Sequence, residues 1–142
     1  MNGRVCVAGH RGMLGRALVR HLAASGVKPW CPEGDLRHVT NAEAAFARQD
    51  VVFMAAGVGG GIAKNLRVPA DLARDTLRLL TGTLEGARRA GVSRFIWFGC
   101  ACLYPTRDWP IRPADLWAGP LEPTSQAFAA AQLAGVELTR AY

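Results

Sequence analysis

Short apolar runs alternate with longer amphipathic segments along this chain, a pattern typical of parallel α/β proteins. Four runs predict strands near residues 4–8, 27–30, 51–55 and 94–99. The second is the weakest, because Pro29 cannot donate a hydrogen bond to a sheet. Numbering these strands in chain order, we expect a parallel sheet in the order 3-2-1-4.

The segments between the strands predict helices. Leu14, Leu18 and Leu22 form one helical stripe that ends near Ser25. Thr40 and Glu43 form a capping-box pattern that opens a short helix to about residue 48. The remaining helices are predicted over residues 69–90, with apolar positions Leu72, Leu77, Leu80 and Leu84, and over residues 124–142, with Thr124 as cap.

Two segments predict irregular structure. The glycine-rich stretch 57–61 is too flexible for a helix interior, and residues 104–123 carry five of the eight prolines. The whole pattern predicts an α/β fold: one Rossmann-like, three-layer domain over residues 1–142, with a parallel sheet between helices.

A glycine loop, Gly9-His-Arg-Gly-Met-Leu-Gly15, lies between the first strand and the first helix. In such a loop the first glycine permits the tight turn and the second lets backbone amides approach a pyrophosphate. The third lets the helix pack on the sheet. A turn that kept its glycines without a ligand is the alternative.

Composition and charge narrow the function classes. The chain has 142 residues, half of them hydrophobic and one fifth charged, as in a globular domain. Its net charge is +6, but its 15 arginines are scattered and form no basic stripe with interleaved aromatics. We therefore expect a solvated surface, with nucleotide phosphate as second interpretation and no nucleic-acid partner. No apolar run is long enough to span a membrane.

Cysteine and histidine usage predicts neither a disulfide framework nor a metal site. The cysteines lack zinc-like spacing, and the chain opens with no secretory pattern, so we expect reduced thiols in the cytoplasm. No histidine has a second ligand at metal spacing. The residues concerned are Cys6, Cys31, Cys100, Cys102, His10, His21 and His38.

Several motifs, in order along the whole chain, resemble the GDP-L-fucose synthases, which are extended short-chain dehydrogenases/reductases of the NAD-dependent epimerase/dehydratase family. The glycine loop resembles that family's opening, and Val58-Gly-Gly-Gly-Ile resembles its Val-Gly-Gly-Ile substrate loop. Gly99-Cys-Ala-Cys-Leu-Tyr-Pro105 is similar to its Gly-Ser-Ser-Cys-Ile-Tyr-Pro segment. Gly119-Pro-Leu-Glu-Pro-Thr124 is similar to its Gly-Thr-Leu-Glu-Pro-Thr segment.

The resemblance also exposes departures. In the family, Ser orients the substrate carbonyl, Tyr donates a proton and Lys lowers the pKa of that Tyr. Those positions here are Cys100, Phe128 and Gln132. Because Phe128 has no hydroxyl and Gln132 no charge, reductive catalysis is not expected. The chain also stops where the family's C-terminal substrate domain would follow, so we expect a shortened form.

One catalytic position of the family is retained. Cys102 matches the cysteine that works with a histidine in epimerisation of a 4-keto sugar. The alternative is a buried core cysteine, which we favour because the partner histidine is absent from this chain.

The resemblance implies a dinucleotide site but not which dinucleotide. Arg11 would face the 2′-phosphate of NADP, whereas Glu33 could bind a ribose hydroxyl of NAD. The implied cofactor-binding residues are Gly9, Arg11, Gly12, Met13, Leu14, Gly15, Asp35, Leu36, Ala55, Ala56 and Gly57.

Three functions follow as hypotheses. The first is a degenerate nucleotide-sugar epimerase/reductase that binds without hydride transfer, pairing with itself or with a full-length nucleotide-sugar enzyme through its last helix. The second is an epimerase or isomerase of a GDP-4-keto sugar that uses Cys102 and is completed by another chain. The third is a fragment without function.

Overall fold

The computed structural model describes residues 3–106 and 110–142. Its sheet is parallel and has three strands, β1 (Val5–Ala8), β2 (Val51–Met54) and β3 (Arg94–Trp97), in that order. Its helices are α1 (Met13–Ala24), α2 (Val39–Phe46), α3 (Gly61–Arg67), α4 (Pro69–Arg89) and α5 (Gln126–Ala141). The part of the predicted irregular segment at 107–109 lies outside the described residues.

The described residues divide into two compact units. The first comprises Met1–Gly57 with Leu79–Phe98 and holds the whole sheet. The second comprises Val58–Arg78 with Gly99–Tyr142 and holds α3, the start of α4 and α5. The expectation of a single domain over residues 1–142 stays a prediction.

The predicted strand order is wrong. The segment 27–30 contributes only one parallel bridge, between Trp30 and Cys6. Trp30 bonds to β1 through both its amide and its carbonyl, and the next residue on that side of the segment, Pro32, has no N–H to extend the pairing. β2 pairs with the other edge of β1, and β3 pairs with β2. β1, whose side chains are buried, therefore lies between the Trp30 segment and β2, whereas β3, whose side chains are largely half-buried, lies at the edge of the sheet.

The first unit has the predicted three layers. On one face of the sheet, Val5 and Val7 pack with Leu22 of α1. On the other face, Phe46 of α2 meets Phe95 of β3 edge-to-face, with ring centroids 6.5 Å apart. Helices therefore cover both faces of a parallel sheet, which confirms the Rossmann-like fold class.

The second unit is helical and contains elements that the sequence pattern missed. α3 lies within a segment expected to be loop, and none of its residues is buried. The turn Ala101–Leu103 packs against α5, and α3 packs against the turn Pro123–Ser125. Within residues 3–106 and 110–142, no helix is long and apolar enough to cross a bilayer.

Two expectations about where helices begin are wrong. α2 begins at Val39 after His38, with no side-chain cap, so Thr40 and Glu43 form no capping box. α5 begins at Gln126, because the Glu122 carboxylate first accepts the amide of Thr124 and supports a tighter turn before the helix.

The core of α4 also differs from the prediction. Leu72, Leu80 and Leu84 are buried as expected, but Leu77 is exposed. Leu79 takes the core position instead. One helical turn later, the buried hydroxyl of Thr83 donates a hydrogen bond to the carbonyl of Leu79 at 2.6 Å.

α4 approaches α2 closely because glycines lie at the contact. A Cβ on Gly86 would lie 2.5 Å from Cβ of Ala42 and 2.8 Å from the amide nitrogen of Glu43. A Cβ on Gly82 would lie 2.6 Å from the carbonyl oxygen of Arg37. These helix-interior glycines are therefore required by packing, despite their cost to helix propensity.

We expect Gly86→Ala to lower the free energy of unfolding by about 1–3 kcal/mol, because the added methyl group must push α4 away from α2. Without a clash, the same substitution in a helix would raise stability by about 0.5–1 kcal/mol, so the sign alone is diagnostic. Urea unfolding followed by circular dichroism measures it. Gly59→Ala, which adds a methyl group in open space, is the matched control and should change little. A higher urea midpoint for Gly86→Ala would contradict the packing argument.

Candidate functional site

The glycine loop follows the carboxyl end of β1, at the point where the chain's direction of travel across the sheet reverses. From β1 the chain goes through α1 to Trp30 on one side, then through α2 to β2 on the other. Such switch points in parallel sheets form crevices at the carboxyl ends of the strands, where ligands bind.

Two of the three glycines are required by the fold itself. Gly9 has φ +83°, and a Cβ there would overlap the backbone of Ala55 and Ala56. A Cβ on Gly15 would overlap the carbonyl of Gly9, so Gly15 lets α1 pack against the turn. The presence of these two glycines is thus explained without any ligand.

Gly12 differs from the other two. Its backbone (φ −73°, ψ 170°) is one that any residue adopts, and a Cβ would meet only the carbonyl oxygen of Gly9, at 3.4 Å. Gly12 is also the N-cap of α1, where no side chain caps the helix and no acidic residue lies in the first turn. The positive end of α1 is therefore open to an anion.

Apolar side chains are exposed beside this open helix end. Met13 is 91% exposed and Leu14 is also exposed. Ala55, whose amide donates to the carbonyl of Ala8 at 2.9 Å, leads from β2 into Ala56 and Gly57 next to Gly9. The loop, the start of α1 and the end of β2 thus come together as predicted, and they fit a dinucleotide with its pyrophosphate at the helix end.

Asp35 and Leu36 are less available than the resemblance implies. Three hydrogen bonds from the Arg37 side chain, together with its amide, hold the Asp35 carboxylate and lower its pKa to about 2. The Leu36 side chain is in the core, so only its main chain is free to meet an adenine.

Two nitrogen-bearing side chains, those of His10 and Arg11, converge on Glu33, just beyond Trp30. Arg11 Nη2 lies 2.6 Å and His10 Nε2 3.4 Å from the same Glu33 oxygen, Oε1. His10 Nδ1 is buried and, among the described residues, has no hydrogen-bond partner. This cluster of side chains was not predicted from the sequence, in which no histidine has a second ligand at metal spacing.

The positions that correspond to the family's Ser, Tyr and Lys lie in the second unit. Cys100 is the N-cap of the turn Ala101–Leu103, which packs against α5, the helix that carries Phe128 and Gln132. Gln132 is buried, and its Oε1 has no hydrogen-bond partner within the described residues. Neither Phe128 nor Gln132 offers a proton donor or a cation of the kind that hydride transfer uses.

Cys100 and Cys102 form a thiol pair whose pKa values are shifted in opposite directions. A hydrogen bond from Cys102, aided by backbone amides of Cys102 and Leu103, lowers the pKa of Cys100 to about 7 despite its partial burial. The same hydrogen bond, together with burial, raises the pKa of Cys102. Burial, with a contribution from Cys31, raises the pKa of Cys6 to about 12. All four cysteines are free thiols.

One groove was not anticipated, because α3 was not. It has a volume of about 480 Å³ and is lined by residues of α3, the turn Pro123–Ser125 and α5. Three of its polar side chains already serve the fold: Asn65 donates to the carbonyl of Gly61, and the hydroxyls of Thr124 and Ser125 donate to Glu122. Within the described residues, no cluster of three or more His, Cys, Asp or Glu side chains could hold a metal ion.

Comparison with known proteins agrees with this geometry. The sequence profile of the "NAD dependent epimerase/dehydratase family" matches residues 5–142. A probable GDP-L-fucose synthase 1 of Oryza sativa subsp. japonica is 38% identical over 99% of this chain and 45% of its own length. The GDP-L-fucose synthase of Sinorhizobium fredii is 36% identical over 98% of this chain and 46% of its own. The chain thus spans about half the length of these curated relatives.

Solved structures extend the likeness to the fold. The GDP-mannoheptose C4 reductase MlghC of Campylobacter jejuni, solved with NADP bound, superposes with a TM-score of 0.90 at 26% identity. The match covers 99% of this chain and 47% of that one. The open glycine loop, its place in the sheet and these matches lead to one conclusion: the chain belongs to the NAD-dependent epimerase/dehydratase family.

Proposed function

We propose that the chain is a dinucleotide-binding module of nucleotide-sugar metabolism that does not itself transfer hydride. The relationship of the chain to nucleotide-sugar epimerases and reductases supports a place in nucleotide-sugar metabolism. The observation that carries the proposal is Gly12, because the fold explains Gly9 and Gly15 but gives no internal reason for glycine at position 12. Close approach of a pyrophosphate to the start of α1 is such a reason.

Different residues around the loop would contact different parts of the dinucleotide. The backbone amides at the start of α1 would bind the pyrophosphate. The bound dinucleotide would cover the exposed side chains of Met13 and Leu14. Ala56 and Gly57 would border the bound dinucleotide at the end of β2. When bound, NAD or NADP would supply a hydride carrier, whereas Phe128 and Gln132 supply neither the proton nor the charge that such chemistry needs.

Pairing with another chain is part of this proposal. Along α5, small and apolar residues recur at a helical spacing on one face without being buried: Ala127, Ala130, Ala134, Leu138 and Ala141. Such a face lets a second helix approach closely. We expect the partner to be a second copy of the chain or a full-length nucleotide-sugar enzyme.

A second candidate function is proton transfer by Cys102 next to a 4-keto group. Retention of the family's cysteine at position 102 favours it, and Cys102 is protonated at neutral pH, although the raised pKa that keeps it protonated also makes it a weak acid. The proposal needs a base on another chain, so we rank it second.

The proposed dinucleotide site predicts that a substitution at Gly12 lowers the affinity for the dinucleotide. Gly12→Ala should weaken binding of NAD⁺ or NADP⁺ at least tenfold in isothermal titration calorimetry, because the methyl group lies where the pyrophosphate must approach. Its melting temperature should match that of the wild type, since position 12 has an ordinary backbone conformation and room for a Cβ.

Two results would contradict this function. Unchanged affinity in a folded Gly12→Ala protein would remove the loop from binding. Reduction of a GDP-4-keto sugar by the purified wild-type chain, lost in Gly12→Ala, would show that it transfers hydride after all.

Charged substitutions on the exposed apolar face of α5 test the proposed pairing. Replacing both Ala130 and Ala134 with Glu should shift the chain from a dimer to a monomer in sedimentation equilibrium, because like charges would face each other across the contact. Both positions are exposed, so the fold should tolerate the change. Ala90→Glu, at a half-buried position after α4, is a control for added charge. A wild-type chain that stays monomeric at high concentration, alone and with a full-length relative, would refute the pairing.

The thiol pair predicts a pH profile. Because the pKa of Cys100 is lowered to about 7, the rate of its alkylation by iodoacetamide should increase as the pH is raised through neutrality and level off above about pH 8. Cys102→Ala removes the hydrogen bond and should move this rise to higher pH, whereas Cys31→Ser should leave it unchanged. Mass spectrometry identifies the modified thiol, and a fast phase that persists in Cys100→Ser would contradict the assignment.

A further inference from the structure

Glu33 lies where a Rossmann-type fold recognises the adenosine ribose. The backbone of Trp30 pairs with β1, and Glu33 follows three residues later at the carboxyl end of that pairing. The glycine loop begins at the carboxyl end of β1 itself. An acidic residue roughly 20 positions after the loop, next to the strand that neighbours β1, is the arrangement that accepts hydrogen bonds from a ribose diol.

The contacts of Glu33 leave half of its carboxylate available. Arg11 and His10 both approach Oε1, at 2.6 and 3.4 Å, and no described residue donates a hydrogen bond to Oε2. The side chains are largely exposed, 75% for Arg11 and 59% for Glu33. Exposed ion pairs add little to stability, so Glu33 can exchange this contact for a ligand at little cost to the fold.

The chemistry of this pair separates the two dinucleotides. A ribose 2′-hydroxyl is a hydrogen-bond donor and matches a carboxylate acceptor. A 2′-phosphate has only acceptors at neutral pH and carries negative charge, so Glu33 repels it. Arg11, the cation that could bind the phosphate, is already paired with Glu33.

We infer that Glu33 makes this chain selective for NAD(H) over NADP(H), by accepting the ribose hydroxyl, by repelling a 2′-phosphate and by competing with that phosphate for Arg11. The inference rests on the proposed dinucleotide site. It sets the chain apart from the reductase MlghC, whose structure was solved with NADP bound.

Calorimetric titration with NAD⁺ and with NADP⁺ tests the inference without any need for catalysis. The wild-type chain should bind NAD⁺ at least tenfold more tightly than NADP⁺. Glu33→Gln keeps the size of the side chain, removes its charge and releases Arg11. It should tighten NADP⁺ binding at least tenfold while weakening NAD⁺ binding. Adding Arg11→Ala to Glu33→Gln should abolish the gain for NADP⁺.

Glu43→Gln is the matched control, since Glu43 is another carboxylate of the same unit in a weak pair with an arginine, Arg89, at 4.0 Å. It should leave both affinities unchanged. Equal or tighter binding of NADP⁺ by the wild type would overturn the inference and leave the proposed function standing. An unchanged preference in a folded Glu33→Gln protein would also overturn it. Binding of neither dinucleotide would overturn both.

Discussion

The close approach of three backbone segments at the end of β1 is the constraint on which the first unit depends. Gly9 touches the backbone that leaves β2, and Gly15 touches the carbonyl of Gly9. Without side chains at these two positions, α1 can start immediately after β1 and pack its Leu22 against Val5 and Val7. The same approach leaves the start of α1 uncapped, so packing of the fold and the opening for an anion arise from one contact.

The two compact units differ in how much of the family's chemistry they keep. The first keeps a glycine loop and an open helix end, on which the proposed dinucleotide site rests. In the second, the three positions that serve hydride transfer in the family are Cys100, Phe128 and Gln132. Substitution at all three removes the hydroxyl and the cation together, whereas the backbone geometry of the loop is intact. This contrast is what favours binding over reduction.

Replacement of the family's serine by Cys100 also creates a property of its own. A serine hydroxyl stays protonated at neutral pH, but a thiol in the same turn is acidic enough to lose its proton when amides and a neighbouring thiol donate to it. The buried Cys6 lies at the opposite extreme, because burial disfavours its charged form. The chemical character of each cysteine is therefore set by its surroundings rather than by its residue type.

The sequence alone determined the fold class, the glycine loop and the family, because these depend on local patterns: apolar strand runs, helical periodicity and motif order. It also determined the loss of Tyr and Lys chemistry, since Phe128 and Gln132 lack the needed groups in any conformation. Tertiary structure decided the strand order, because the choice of neighbour for β2 depends on burial across the whole sheet. It also decided that Leu79 rather than Leu77 faces the core. Likewise, only the folded chain joins Arg11 to Glu33, since 22 residues separate them in sequence and the pairing of Trp30 with β1 closes that distance.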